Sequence, residues 1–177
     1  GKHLLRVRDD GEGINREDLH LALASHATSK IRDHDDLRSL RTLGFRGEAL
    51  ASISAVSRFA LISNIHEEPA EGVSVKINQV AKNELFIEPS PHYRGTTVEV
   101  RDLFFNTPAR KKFLRTERTE FQKLEEVIRR LALASPSVSF SVLHNGKVVR
   151  DFPEGNSIDR IGVVFGGSFY SNCIEIE

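Results

Sequence analysis

The run Val73-Ser74-Val75-Lys76-Ile77-Asn78 alternates apolar and polar residues without a break. As a strand it can bury only one of its two faces. Arg94-Gly95-Thr96-Thr97-Val98-Glu99-Val100 repeats the pattern, with Val98 and Val100 on one side and Thr97 and Glu99 on the other. Leu4, Leu5 and Val7 alternate less cleanly with charged residues and read as another short strand. Residues 59–63 and Leu85-Phe86-Ile87 also read as strands, the latter closed by Pro89 and Pro91, and residues 66–72 as a turn. A sheet of such strands needs a second layer over its apolar face. Leu50, Ile53 and Val56 mark one helix, ending near Ser57. Phe121, Leu124, Ile128 and Leu131 mark the longest, over residues 117–134 and stopped before Pro136. Val138, Phe140 and Val142 alternate up to the hairpin signal Asn145-Gly146, with residues 147–152 as the return strand. Residues 153–156 read as a linker, and Ser157 caps a short helix containing Ile158, Ile161 and Val164. The expectation is an α/β (α+β) two-layer sandwich, with a mixed, largely antiparallel sheet and helices on one face.

Two glycine-rich segments each precede a helix. The first, Asp9-Asp10-Gly11-Glu12-Gly13-Ile14, follows the strand of Leu4, Leu5 and Val7. Asn15 then begins a helix, with Asp18 three residues on in a capping-box-like arrangement and Leu19, Ala22, Leu23 and Ala27 as its apolar face. Asp9 therefore sits at a strand end, beside glycines that leave space for a flat ligand. An ionised carboxylate can only accept hydrogen bonds. Adenine presents an amino donor where guanine carries a carbonyl, so Asp9 could select adenine. A rejected base would leave a buried acceptor unpaired, at about 1–3 kcal/mol. Asp-Gly is also ordinary turn chemistry, and the motif alone leaves both readings open. An EF-hand loop is excluded, because Gly11 and Gly13 stand where oxygen ligands are needed.

The second segment, Leu43-Gly44-Phe45-Arg46-Gly47-Glu48-Ala49-Leu50-Ala51-Ser52-Ile53, sets two glycines and an arginine before an apolar helix. Glycines let the backbone approach a ligand closely, and the helix start offers free N–H groups and a positive dipole end. Arg46 adds a fixed cation with forked donors. The spacing is neither a Walker P-loop nor a Rossmann fingerprint, and glycines before a helix also make a plain turn. Between the two segments lies His26-Ala27-Thr28-Ser29-Lys30. Thr28, Ser29 and Lys30 can serve phosphate oxygens or form a solvated helix end, and His26 reads as structural. Thr96, after Gly95 at a strand entry, could bring a hydroxyl to the same ligand.

Charge balances at 25 Lys plus Arg against 25 Asp plus Glu, so the chain as a whole is not a basic nucleic-acid binder. Any DNA contact must come from a local patch. Arg110, Lys111, Lys112, Arg115 and Arg118 cluster after Pro108. They could make modest, non-specific contact with DNA phosphates, or line a solvated loop. Phe113 and Leu114 are expected to anchor that loop in the core. The single cysteine, Cys173, offers neither a disulfide framework nor a zinc site. No run is apolar enough to span a membrane. The chain contains no Met, and it opens and closes near strands, so a piece of a larger protein is expected.

Five segments in this order resemble the MutL family of DNA mismatch-repair ATPases, and its bacterial members in particular: residues 9–14, 26–31, 43–53, 95–97, and the run Leu103-Phe104-Phe105-Asn106-Thr107-Pro108-Ala109-Arg110-Lys111-Lys112-Phe113-Leu114. The resemblance covers essentially the whole chain. The Gly-Phe-Arg-Gly-Glu-Ala-Leu text at residues 44–50 separates it from the type II topoisomerases, chaperones and sensor histidine kinases of the same superfamily. The resemblance implies the GHKL (Bergerat) ATPase fold and an ATP site with Mg²⁺. There Asp9 binds the adenine amino group, and Gly11 and Gly13 shape the base pocket. Thr28, Ser29 and Lys30 approach the nucleotide. Leu43, Gly44, Phe45, Arg46, Gly47, Glu48, Ala49 and Leu50 belong to the lid over the phosphates, and Thr96 supports the adenine through water. Without nucleotide the lid is expected to be disordered. Residues 1–156 would form the ATP-binding domain and 157–177 begin the next. The resemblance also implies a cytoplasmic, nucleoid-associated protein that binds DNA and dimerises with itself on ATP. Its partners would be the mismatch-recognition protein MutS and a strand-incising nuclease. The family's first motif, a Glu followed four residues later by an Asn, does not occur here. In relatives that Glu activates the attacking water and the Asn holds Mg²⁺. Both are expected upstream of Gly1, and this chain alone is expected not to hydrolyse ATP. Two other readings remain: a GHKL enzyme of topoisomerase or chaperone type, and a non-catalytic interaction module.

Overall fold

The computed structural model describes residues 2–24, 48–78 and 84–170. They fall into two compact units, Gly1–Leu114 and Arg115–Glu177. The first is built on five strands: β1 (Leu4–Asp9), β2 (Arg58–Asn64), β3 (Val73–Asn78), β4 (Glu84–Pro89) and β5 (Gly95–Arg101). They lie side by side in the order β1-β5-β2-β3-β4. Every ladder between described strands is antiparallel, so nothing described here adds the parallel part of the mixed sheet expected above.

The register sorts side chains as the alternation demands. Leu5, Val7 and Asp9 share a face with Val100, Val98 and Thr96 of β5, with Phe59, Leu61 and Ser63 of β2, and with Val73 and Val75 of β3. Two short helices, α1 (Leu19–Leu23) and α2 (Ala49–Ser54), cover that face. Leu19, Leu61 and Val75 are fully buried there, with Ala22, Leu23, Leu50 and Ile53 packed against them. Each of the three fully buried side chains, Leu19, Leu61 and Val75, contributes about 1.5–3 kcal/mol over leaving it in water. The opposite face carries charge. Glu99 lies between Arg6 (2.6 Å) and Arg101 (2.9 Å), and Lys76 pairs with Glu88 across β3 and β4. Burial pushes the Glu99 carboxyl up, but hydrogen bonds from Arg6 and Arg101 outweigh it and hold Glu99 below its ordinary 4.5. The Lys76 ammonium likewise holds exposed Glu88 low.

The α1 helix starts later than a cap at Asn15 would place it. The Asn15 carbonyl accepts from the Asp18 and Leu19 N–H groups, and its carboxamide oxygen takes the Glu17 N–H at a long 3.5 Å. Residues 16–18 therefore form a turn, and no side chain caps the helix at Asp18. After β5 the chain makes a tight loop into α3 (Pro108–Lys111).

The second unit holds α4 (Glu117–Ala134), the hairpin of β6 (Phe140–His144) and β7 (Lys147–Phe152), α5 (Ser157–Phe165) and α6 (Gly167–Tyr170). Thr116 caps α4 by accepting from the Thr119 N–H. Asn145 (φ 50) and Gly146 (φ 78) take the left-handed conformations that a tight hairpin turn requires. Ala132, Val142 and Phe152 form its core with Phe121, Ile128, Phe140 and Val164. Two details depart from the sequence reading. Val138 lies outside β6 and is 49% exposed. Asn156, not Ser157, caps α5, its side-chain oxygen accepting from the Asp159 N–H at 2.8 Å.

Arg160 on α5 is 1% exposed. Its guanidinium donates to the carbonyls of Ala132 (2.7 Å), Pro136 (3.0 Å), Val138 (2.7 Å) and Pro153 (2.8 Å). One side chain so satisfies a carbonyl in the last turn of α4 and three loop carbonyls, with its charge at the negative end of the helix dipole. Among the described residues no helix is long and apolar enough to cross a membrane.

Candidate functional site

The antiparallel pairing of β1 with β5 sets Asp9 opposite Thr96. Asp9 Oδ1 accepts from two backbone N–H groups, of Gly11 at 3.0 Å and Thr96 at 3.2 Å. Among the described residues no hydrogen bond falls on Oδ2. Two donors on one oxygen fix the carboxylate and leave the other as an acceptor for an outside donor. Asp9 is exposed, so the buried acceptor assumed from sequence is not built into this end of the sheet. Rejection of a wrong base must come with the ligand itself covering Asp9, since only then is an unpaired acceptor cut off from water.

Two glycines make the approach possible. Gly95 has φ +119, and a Cβ there would stand 2.2 Å from the Asp9 carbonyl oxygen. Gly13 has φ +78, and its Cβ would stand 2.1 Å from the Asn64 carbonyl oxygen. The β1–α1 loop therefore rests directly on the backbone at the end of β2.

Sequence reasoning missed the residue that ties these pieces together. Ser63 is 2% exposed. Its Oγ accepts from the Ile14 N–H at 2.8 Å and lies 3.0 Å from both the Gly95 carbonyl and Thr96 Oγ1. A hydroxyl has one proton and two lone pairs. Donating to Gly95 while accepting from Ile14 and Thr96 satisfies all three partners. Thr96 then has no proton left and turns toward the site as an acceptor only. A signal for Ser63 was present, since it falls on the apolar side of the Phe59–Leu61 alternation, where a hydroxyl must find partners. Its neighbour Asn64, also buried, donates to the carbonyls of Glu68 (2.9 Å) and His92 (2.8 Å) and accepts from the His66 N–H (2.9 Å).

Glu48 stands at the N-cap of α2, and Ala49 and Leu50 form its first residues. The Leu50 side chain packs on the sheet core, so only its backbone is available to an anion. His26, Thr28, Ser29, Lys30, Leu43, Gly44, Phe45, Arg46 and Gly47, and with them the expected disorder of the lid without nucleotide, lie outside the described residues. Among the described residues no group of three His, Cys, Asp or Glu side chains could hold a metal ion.

Arg110, Lys111 and Lys112 are exposed on and after α3. Phe113, expected to anchor this loop, is instead 82% exposed. Leu114 does turn inward, lining a cavity of about 220 Å³ with Lys2, His3, Asp102, Leu103 and Lys111. The reason is local. The Phe113 N–H donates to Arg110 and the Leu114 N–H to Lys111, and adjacent residues on one tight turn face different ways.

No protein-family model matches the chain. It is 52% identical over 181 residues to the DNA mismatch repair protein MutL of Chromohalobacter salexigens, with all of this chain and 28% of that protein covered. It is 49% identical over 187 residues to MutL of an Escherichia coli strain, with all of this chain and 29% of that protein covered. The chain belongs to the MutL family. It spans under a third of the length of these curated MutL relatives. Among solved structures it is similar to the MutL ATPase domain of Aquifex aeolicus complexed with ADP. The TM-score there is 0.73 at 35% identity, over 93% of this chain and 57% of that one. The N-terminal domain of a DNA repair protein aligns with TM-score 0.73 at 27% identity, over 95% of this chain and 49% of that one. The antiparallel sheet with helices on one face is thus the fold of the MutL GHKL ATPase domain.

Proposed function

We propose that this chain is the nucleotide-binding part of a MutL-type mismatch-repair ATPase, with Asp9 reading the adenine amino group. The observation that carries it is the Asp9 carboxylate, held on Oδ1 by Gly11 and Thr96 and open on Oδ2. That the similar Aquifex MutL ATPase domain is complexed with ADP supports a nucleotide-binding role. In this reading Gly11 and Gly13 shape the base pocket, and Thr96 acts through water as an acceptor. Thr28, Ser29 and Lys30 approach the nucleotide, and residues 43–50 close over its phosphates. ATP, bound more tightly by the closed than by the open state, orders that lid and favours dimerisation. Mg²⁺ is held in this reading mainly by the phosphates and by the Asn expected upstream. No Glu-x-x-x-Asn occurs in the 177 residues, so the chain alone binds without hydrolysing. A polypeptide extended upstream of Gly1 restores turnover. The relatives' names support mismatch repair as the setting, with MutS and a strand-incising nuclease as partners in the cytoplasm. Residues 1–156 form the nucleotide domain in this proposal, and 157–177 lead into the next.

Isothermal titration of the upstream-extended polypeptide tests the site. ATP binds and GTP binds at least about tenfold more weakly. Asp9→Asn, which turns an acceptor into a donor, weakens ATP by a similar factor. Equal binding of ATP by Asp9→Asn sinks the reading. Exposed Arg110, Lys111 and Lys112 supply a modest, non-specific DNA contact, tested by charge reversal at low salt, which lowers both affinity and salt dependence.

A further inference from the structure

We propose that Ser63 is a specificity-determining residue for the nucleotide base: it draws protons away from the site, so that the base meets acceptors alone. The inference rests on Asp9 as the reader of the adenine amino group. It adds a second determinant, buried two strands away from Asp9.

The register sets three polar side chains in one row on one face of the sheet. Asp9 on β1 stands opposite Thr96 on β5, and Thr96 stands opposite Ser63 on β2. Two of the groups around Ser63 have fixed roles, because a carbonyl can only accept and a backbone N–H can only donate. The Ser63 hydroxyl therefore gives its one proton to the Gly95 carbonyl at 3.0 Å and takes the Ile14 N–H at 2.8 Å. One lone pair is left for Thr96 Oγ1, 3.0 Å away, and Thr96 must donate into it. At the other end of the row, the Gly11 and Thr96 backbone N–H groups both go to Asp9 Oδ1. Ser63 is 2% exposed and Gly95 is buried, so solvent does not compete for the bonds that fix this polarity. The row offers a ligand two acceptors, Asp9 Oδ2 and Thr96 Oγ1, and no side-chain proton.

Adenine suits such an edge. Its amino group donates to Asp9, and a water can serve its ring N1 while giving the other proton to Thr96. Hypoxanthine carries a carbonyl in place of the amino group and an N–H in place of N1. Its carbonyl faces a carboxylate and finds no proton in the row, and a polar group left unmet in this way is what gives strong discrimination. Without Ser63 the Thr96 proton is released. It can then turn outward to that carbonyl, directly or through a water. The vacated Gly95 carbonyl competes for the same proton, so the relaxation is partial.

The test is isothermal titration of the upstream-extended polypeptide with ATP and with inosine triphosphate, which differ only at this edge. The parent favours ATP by at least about tenfold, and Asp9→Asn, whose amide can donate, lowers that ratio. Ser63→Ala lowers the ratio by about 3- to 10-fold, whatever it does to ATP affinity itself. Ser63→Thr, which keeps the hydroxyl, keeps the parent ratio. Ser63→Cys, which fills the space with a weak acceptor, gives an intermediate ratio and supplies the same readout should the alanine variant not fold. If the Ala and Cys variants weaken both nucleotides by one common factor, or if Ser63→Thr relaxes the ratio as much as they do, Ser63 is only a structural support. The inference is then overturned while Asp9 stands. If the parent does not separate the two nucleotides, or Asp9→Asn leaves the ratio unchanged, the Asp9 reading fails and the inference falls with it.

Discussion

Ser63→Ala isolates the link on which the arrangement around Asp9 depends. The hydroxyl takes the Ile14 N–H at 2.8 Å, and its own proton goes to the Gly95 carbonyl at 3.0 Å. Alanine keeps the strand and removes both bonds. Stranding a buried backbone group costs about 1–3 kcal/mol. Ile14 is half-buried and Gly95 buried, so the Ile14 side falls at the low end and the Gly95 side higher. Thr96 recovers part of the loss if its freed hydroxyl swings to Gly95. The expected total is about 2–3 kcal/mol, or roughly 5–15 °C in melting temperature for a unit of this size. Thermal unfolding of the first unit gives the magnitude, and hydrogen exchange at the Ile14 amide gives the location. Thr96→Val shares one bond with Ser63, so the double variant loses less than the sum of the singles, by about 1 kcal/mol. A Ser63→Ala chain that melts with the parent and still protects the Ile14 amide refutes the bond assignment.

Gly13→Ala destabilises the first unit by at least about 2 kcal/mol in urea unfolding, because its φ of +78 is compounded by a Cβ 2.1 Å from a carbonyl oxygen. Gly146→Ala has a similar φ and nothing within 4 Å, so it costs only about 1 kcal/mol, and equal costs would count against the steric argument. Arg160→Met strips a donor from four carbonyls at once, of which only Pro136 keeps another among the described residues, the Gly155 N–H. It lowers the stability of the second unit by about 3–5 kcal/mol, visible as lost amide protection over residues 132–142, and unchanged protection would show the guanidinium to be dispensable. Glu99 titrates below 4.5 in the folded chain, so its contribution is present above that value and is lost as pH falls through the lower folded one. Glu99→Gln therefore narrows its stability gap to the parent as pH drops from about 6 toward 3, and a gap constant with pH contradicts the pairing with Arg6 and Arg101.

Local periodicity made much of the fold legible. The alternation over Val73–Asn78, the helix Glu117–Ala134 and the return strand Lys147–Phe152 stand where the sequence places them. Each is specified by signals within its own length: a period, a cap, a proline or a tight turn. What failed turned on competition between neighbours. Asn15 could cap a helix or make a turn, and the chain took the turn. Phe113 and Leu114 could each go inward, and the single helical turn that carries them admits one.

The site divides in the same way. Asp9 and its glycines are recognisable as a strand-end motif, and the chain text alone suffices for the family to which they belong. Ser63 is not recognisable, because its role comes from residues far along the chain. Sequence by itself determined which residues can form strands, helices and turns, since those depend on neighbours a few positions away. Tertiary structure alone decided that β1 and β5 pair so that Asp9 meets Thr96, and that β2, on the other side of β5, sets one hydroxyl against Gly95, Thr96 and Ile14. Register is set by how whole faces bury together, and a shift of one residue would turn Asp9 to the other side of the sheet.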